Sequence, residues 1–344
     1  MNGARGWLDG FIGVLIFSAS LPATKIAVSG FAPLFLTNAR AAIAGVLAAG
    51  ALLLLGERRP DRADLWALAA TGLGVVIGFP LLTAFALQHI TSAQSVVFIG
   101  LLPLSTAVFA VLRGGERPRP AFWAFALVGA ALVVGFALAG LGAGVGLGSA
   151  GTEPATLGSV GSGVEHAADG LARMAGSGAG SGASSAGPTT PVGVGLRPGA
   201  DPLVGAALML GAILACGFGY AEGARLSRRL GGWQVICWAL VIALPLVLPL
   251  ALGLMPTGLG AVPPSAWAGL GYVSIFSMLI GFVFWYRGLA AGGAAAVGQL
   301  QLLQPFFGLV LSAVLLGDAV TPAMLVVTLG IVACVAGAKR FAAR

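Results

Sequence analysis

Residues 101–120 read LLPLSTAVFAVLRGGERPRP, and residues 303–322 read LQPFFGLVLSAVLLGDAVTP. Each is an apolar run entered through a proline, closed by a glycine and an acid, and followed by a second proline. Pro103, Gly115, Glu116 and Pro120 recur as Pro305, Gly317, Asp318 and Pro322 at one offset of 202 residues, and Leu87 recurs as Leu289 at the same offset. Proline and acidic positions are scarce here, at 19 and 11 of 344, so the match marks an internal repeat.

The rest of the chain says what solvent those runs meet. Hydrophobic residues make up 58% and charged residues 8%, against about 25% charged in soluble domains. So few charges cannot cover a globule of this size, which excludes an ordinary soluble enzyme. The mean hydropathy of +1.00 agrees. The net charge of +7 sits at the edges of apolar runs and not in a basic patch, so it reads as membrane orientation and not as nucleic-acid binding. Cys216, Cys237 and Cys334 lie inside apolar runs with no CxxC or Cys/His cluster, so neither a disulfide framework, a metal site nor a cofactor is expected. Sixteen Arg against two Lys in an Ala/Gly/Leu-rich background points to a GC-rich bacterial genome.

A helix needs about 20 apolar residues to cross a bilayer. Ten such runs are expected, at 7–28, 32–55, 65–87, 93–113, 120–141, 203–224, 232–253, 265–287, 293–316 and 321–339. The first resembles a signal peptide, but its apolar run continues past the Ser18-Ala19-Ser20 cleavage-like site, so it is kept as a helix. Short alternating loops then put 14 of the 18 basic residues on one side. By the positive-inside rule both termini are cytoplasmic, at the inner membrane of a bacterial cell. Residues 142–200, with 17 glycines, cannot bury enough apolar surface to offset their conformational entropy, and read as a disordered external linker between a first repeat at 1–141 and a second at 201–344. The GxGxxG match at Gly146–Gly151 has no strand before it and no helix after it, and carries no nucleotide site. Five spans per half is an odd number, so the fold expected is all-α, a polytopic membrane protein of two inverted five-helix repeats.

These motifs resemble the EamA-type transporters of the drug/metabolite transporter superfamily. The resemblance rests on the fourth-span proline of each half and the Gly-acid turn after it, Leu102-Pro103 to Gly115-Glu116 and Gln304-Pro305 to Gly317-Asp318, together with Ala39-Arg40 in span 2 and Lys25 late in span 1. It covers both halves but not the linker, which departs from the usual short connection. It implies transport of small metabolites or amino acids, most often export, through a central cavity.

Chemistry-bearing residues are few. The two histidines, His89 and His166, lie in a turn and in the linker, and no carboxylate pair or nucleophile triad falls on facing spans. Polar groups at mid-depth matter more, because burying them in lipid is costly. Gln301 and Gln304, at i, i+3 in span 9, share a helical face, where two amides could donate to a carboxylate and accept from an amine. The competing reading is hydrogen bonding between packed spans. Ser18, Ser20, Ser105, Ser277 and Tyr220 are further candidate contacts, although a membrane-helix serine usually bonds its own i−4 carbonyl. Trp7, Trp66, Trp233 and Trp267 read as interfacial anchors, and Trp285 as an anchor or a lining of the exit path. Pro103 and Pro305 are expected to kink their helices beside the cavity. The GxxxG matches Gly74–Gly78 and Gly219–Gly223 read as close helix contacts.

Repeat symmetry also suggests two gating pairs, Lys25–Asp318 outside and Arg225–Glu116 inside. The alternative is independent charges, with Asp318 capping the next helix, Arg225 pairing with Glu222, and Lys25 reaching the headgroups. The function expected is therefore a secondary transporter of small organic solutes, such as amino acids or drugs, by alternating access. The alternative is a non-transporting multi-span receptor, scaffold or enzyme. The partners expected are a small-molecule substrate and the lipid bilayer, the chain acting as a monomer or homodimer.

Overall fold

The computed structural model describes residues 2–86, 89–90, 98–142, 201–316 and 322–342, helices joined by turns and irregular loops with no strand among them. The first half contributes α1 (Asn2–Ser18), α2 (Ser20–Ala27), α3 (Pro33–Leu54), α4 (Arg62–Ala86), α5 (Leu102–Gly114) and α6 (Pro120–Gly142). The second contributes α7 (Pro202–Leu230), α8 (Gly232–Gly253), α9 (Pro264–Gly292), α10 (Ala294–Gly298), α11 (Gln304–Leu316) and α12 (Pro322–Phe341). Among the described residues six helical stretches are long and apolar enough to cross a bilayer: Ala4–Thr24, α3, α4, α7, α8 and α9. Residues 142–200 lie outside this description, Gly142 excepted, as does Asp318.

Prolines decide where the helices start and break. A proline has no N–H and its ring crowds the carbonyl four residues back. Pro22 therefore breaks the helix at Ser18–Ala19, separating α1 from α2. Span 9 is not one helix either. Gln299–Leu303 form a 3₁₀ turn between α10 and α11. Pro103 and Pro305 thus head helices, each as the second residue of α5 or α11, and do not kink them at mid-length as expected. α4 and α9 each contain a π-helical stretch, Gly72–Gly78 and Val273–Ile280. Pro80 supplies a cause in α4; α9 has the same wide turn with no proline near it.

The two π stretches lie at the repeat offset, and so do the starts of α4 and α9, α5 and α11, and α6 and α12. Packing follows the same symmetry. α3 packs on α8 and α6 on α12, while α1 on α9 mirrors α7 on α4. Glycines make the mirrored crossings close: a Cβ on Gly288 would fall 2.5 Å from the Gly10 nitrogen, and one on Gly74 would fall 2.3 Å from the Ala215 carbonyl oxygen. Gly219 meets Gly74 and Val75 in the same contact, so the two GxxxG matches do pack helices together.

The outside of the bundle is apolar. Leu53, Leu54, Leu203, Val314 and Leu329 are each at least 70% exposed, as expected where the surrounding medium is hydrocarbon. Trp66 and Trp267 are also exposed, as anchors should be.

Candidate functional site

The middle of the bundle holds a cluster of aromatic and amide side chains drawn from both halves. In α9, Phe282, Trp285 and Tyr286 stand at i, i+3 and i+4 on one buried face. Tyr220 of α7 meets this face, with ring centroids 5.6 Å from Trp285 and 6.2 Å from Phe282. Phe17 of α1 closes the other side, 4.9 Å from Phe282. The Gln301 amide, on the 3₁₀ turn, donates to the Tyr220 hydroxyl at 3.3 Å.

The cluster is buried but not satisfied. Gln301 Oε1, Gln299 Oε1 and the Trp285 indole N–H have no hydrogen-bond partner among the described residues, although each is buried. Leaving such a group unpaired costs about 1–3 kcal/mol, so the site calls for a polar guest or water. Gln301 and Trp285 both adjoin Tyr220, which places an acceptor, a donor and a hydroxyl around one aromatic wall. That combination can hold a small polar molecule with an apolar body.

The remaining candidates separate. Gln304 heads α11 half-buried and makes no side-chain hydrogen bond among the described residues, so the amide buried together with Gln301 is Gln299, which donates to the carbonyls of Pro103 and Ala295 at 3.4 Å each. Ser18 bonds its own i−4 carbonyl, on Val14, at 2.7 Å. Ser20 donates to Ser277 at 2.8 Å, joining α2 to α9. Ser105 donates to the Ile213 carbonyl at 3.2 Å, joining α5 to α7. These serines are engaged in helix contacts.

Sequence reasoning missed Tyr286, Phe282 and Gln299; the aromatic spacing in span 8 was the available signal. It also gave Arg40 no site role. Arg40 lies seven residues into α3, half-buried, with its Nε buried and without a partner among the described residues.

The arginine-rich ends of the helices form a polar layer. Glu222, 1% exposed, lies between Arg113 and Arg225. Arg229 pairs with Asp64 at 3.2 Å and Arg287 with Asp9 at 3.5 Å. Arg225 thus pairs within its own helix at i−3, and the expected Arg225–Glu116 gate is not formed. Glu116 instead accepts the backbone N–H groups of Ala294 and Ala295 at 2.7 and 2.9 Å, with Arg228 3.8 Å away. It caps the first turn of α10, which follows Gly293 at φ +88°. The reason is geometric: Glu116 leaves α5 through Gly115, at φ +69°, and so turns toward α10. The outer pair cannot be placed, since Asp318 and the Lys25 side chain lie outside the described residues.

Known proteins similar to this chain identify its family. A curated relative, the "Uncharacterized transporter YdeK" of Bacillus subtilis (strain 168), is 53% identical over 338 residues, 98% of each chain. A second, the "Probable terminal-alkyne amino-acid exporter" of Streptantibioticus cattleyicolor, is 24% identical over 91% of this chain and 86% of its own. A crystal structure of a protein superposes with a TM-score of 0.69 over 97% of both chains at 20% identity, a likeness of fold. Residues 5–138 and 203–338 each match the EamA-like transporter family, and the chain therefore belongs to that family.

Proposed function

We propose that this transporter is a secondary carrier that exports small amino-acid-like solutes by alternating access. Ten spans in two inverted repeats, with both termini in the cytoplasm and residues 142–200 outside, are part of the same reading. The observation that carries it is the Tyr220–Gln301 pair of the second half, with the Trp285 N–H and Gln301 Oε1 unpaired beside it among the described residues. A zwitterion with an apolar side chain suits that surround: its carboxylate accepts from the indole, its ammonium donates to the amide oxygen, and its side chain lies on the aromatic wall. The exporter name of one relative supports the solute class and the direction. Closure on the arginine-rich side is assigned to Glu116 on α10, which ties the first repeat to the second.

The test is counterflow in proteoliposomes loaded with unlabelled neutral amino acids. Saturable accumulation of labelled solute that Gln301→Ala abolishes supports the carrier reading. Folded protein with no counterflow for any amino acid overturns the solute class, and no flux for any solute overturns the carrier.

A further inference from the structure

A second cluster lies apart from the aromatic site, in the polar layer. A cleft of about 380 Å³ opens where α1, the end of α7, the start of α8 and the end of α9 meet. That volume is at the lower end of the range for small-molecule sites. Its walls carry Arg5, Arg228 and Arg287 against one acid, Asp9. Asp9 is already committed to Arg287. Glu116, near Arg228, already caps α10. Arg5 has no acidic partner among the described residues. Cationic charge therefore exceeds anionic charge around an open volume.

Two features favour an anion over water there. Ser227 lines the cleft, is 7% exposed, and has a hydroxyl with no partner among the described residues. The floor is the N-terminus of the 22-residue α8, entered through Gly231 with no side-chain cap, so its first N–H groups are not taken up by a capping side chain. Gly232 also admits Arg287 closely: a Cβ there would fall 2.7 Å from the Arg287 backbone nitrogen and Cγ. Guanidinium groups pair with the two-oxygen edge of a phosphate or carboxylate.

We propose that this cleft is an anion site, binding a phosphate-type group through Arg5, Arg228 and the start of α8. The group has two sources, free phosphate in solution or the headgroup of an anionic phospholipid. The site is separate from solute transport and does not depend on it.

The experiment uses the full chain and its own fluorescence, since Trp7 and Trp233 stand two residues from Arg5 and one from Gly232. Inorganic phosphate is titrated into detergent-solubilised protein against sodium chloride of equal ionic strength. In parallel, phosphatidylglycerol is varied in phosphatidylcholine nanodiscs. A saturable change with phosphate assigns a free anion; one confined to phosphatidylglycerol assigns a headgroup. In either case Arg5→Gln and Arg228→Gln should each weaken the response about tenfold or more. Arg5→Gln removes no ion pair, so the fold survives it. No saturable response to either probe, or variants that titrate like the parent, overturns the proposal.

Discussion

At the scale of single residues, the orphaned polar atoms decide what the buried centre does. Gln301 is held by one bond to Tyr220 and leaves its carbonyl oxygen free. Tyr220→Phe removes the acceptor of that bond yet keeps the tilted and edge-to-face ring contacts, so transport should fall at least tenfold while stability falls by about 1–3 kcal/mol, the cost of the unpaired amide N–H. Equal loss of flux and fold would return the pair to packing. Arg40 makes a second case. A guanidinium whose Nε has no partner among the described residues is expensive within a span, and a solute carboxylate passing α3 on its way to or from the Trp285 indole would supply a transient counter-anion. Arg40→Gln should therefore raise the KM for anionic and zwitterionic solutes more than for uncharged ones, measured by uptake against concentration. The amide at Gln301 and the ring at Tyr220 were legible in sequence because polar atoms at mid-span are rare. Of the aromatic face of α9 only Trp285 was singled out; Phe282 and Tyr286 were not, since Phe and Tyr in an apolar run look like lipid-facing bulk until a partner helix is placed against them.

At the scale of elements, the repeat was visible in four residues and proved to govern helix starts. What sequence spacing could not supply was the local geometry around the prolines. A proline at Pro305 was read as a bend, but the chain ends one helix, makes a 3₁₀ turn and begins another. The ten expected spans are correspondingly six long helices and several shorter ones among the described residues. The start of α10 depends on a residue from the other half. Glu116→Ala removes the acceptor of two backbone N–H groups, and should cost about 1 kcal/mol, read as a lower thermal midpoint in detergent. Glu116→Asp, one methylene shorter, should restore part of it. Restoration by neither length nor charge would mean that Gly293 alone starts the helix. Arg225 was misassigned for a related reason: offset arithmetic pairs charges by position along the chain, whereas Glu222 at i−3 lies within reach on the same helix.

At the scale of the whole molecule, the charge asymmetry read from the loops corresponds to a physical layer in the fold. Cysteines placed at Arg58 and Arg229 should react with impermeant maleimide only in inside-out vesicles, and one placed at Asp201 only in right-side-out vesicles. Labelling of all three from one side would overturn the inside-positive orientation. The same layer makes the two ends of the bundle unequal in strength. The five ion pairs among the described residues, and the cap on α10, lie together at the arginine-rich end. Local opening is easiest where fewest bonds must break together. In amide hydrogen exchange, Ala294, Ala295 and the last turns of α7 should then be among the slowest sites. The opposite ends of α3 and α7 should take up deuterium first, so that the molecule frays from one pole and holds at the other.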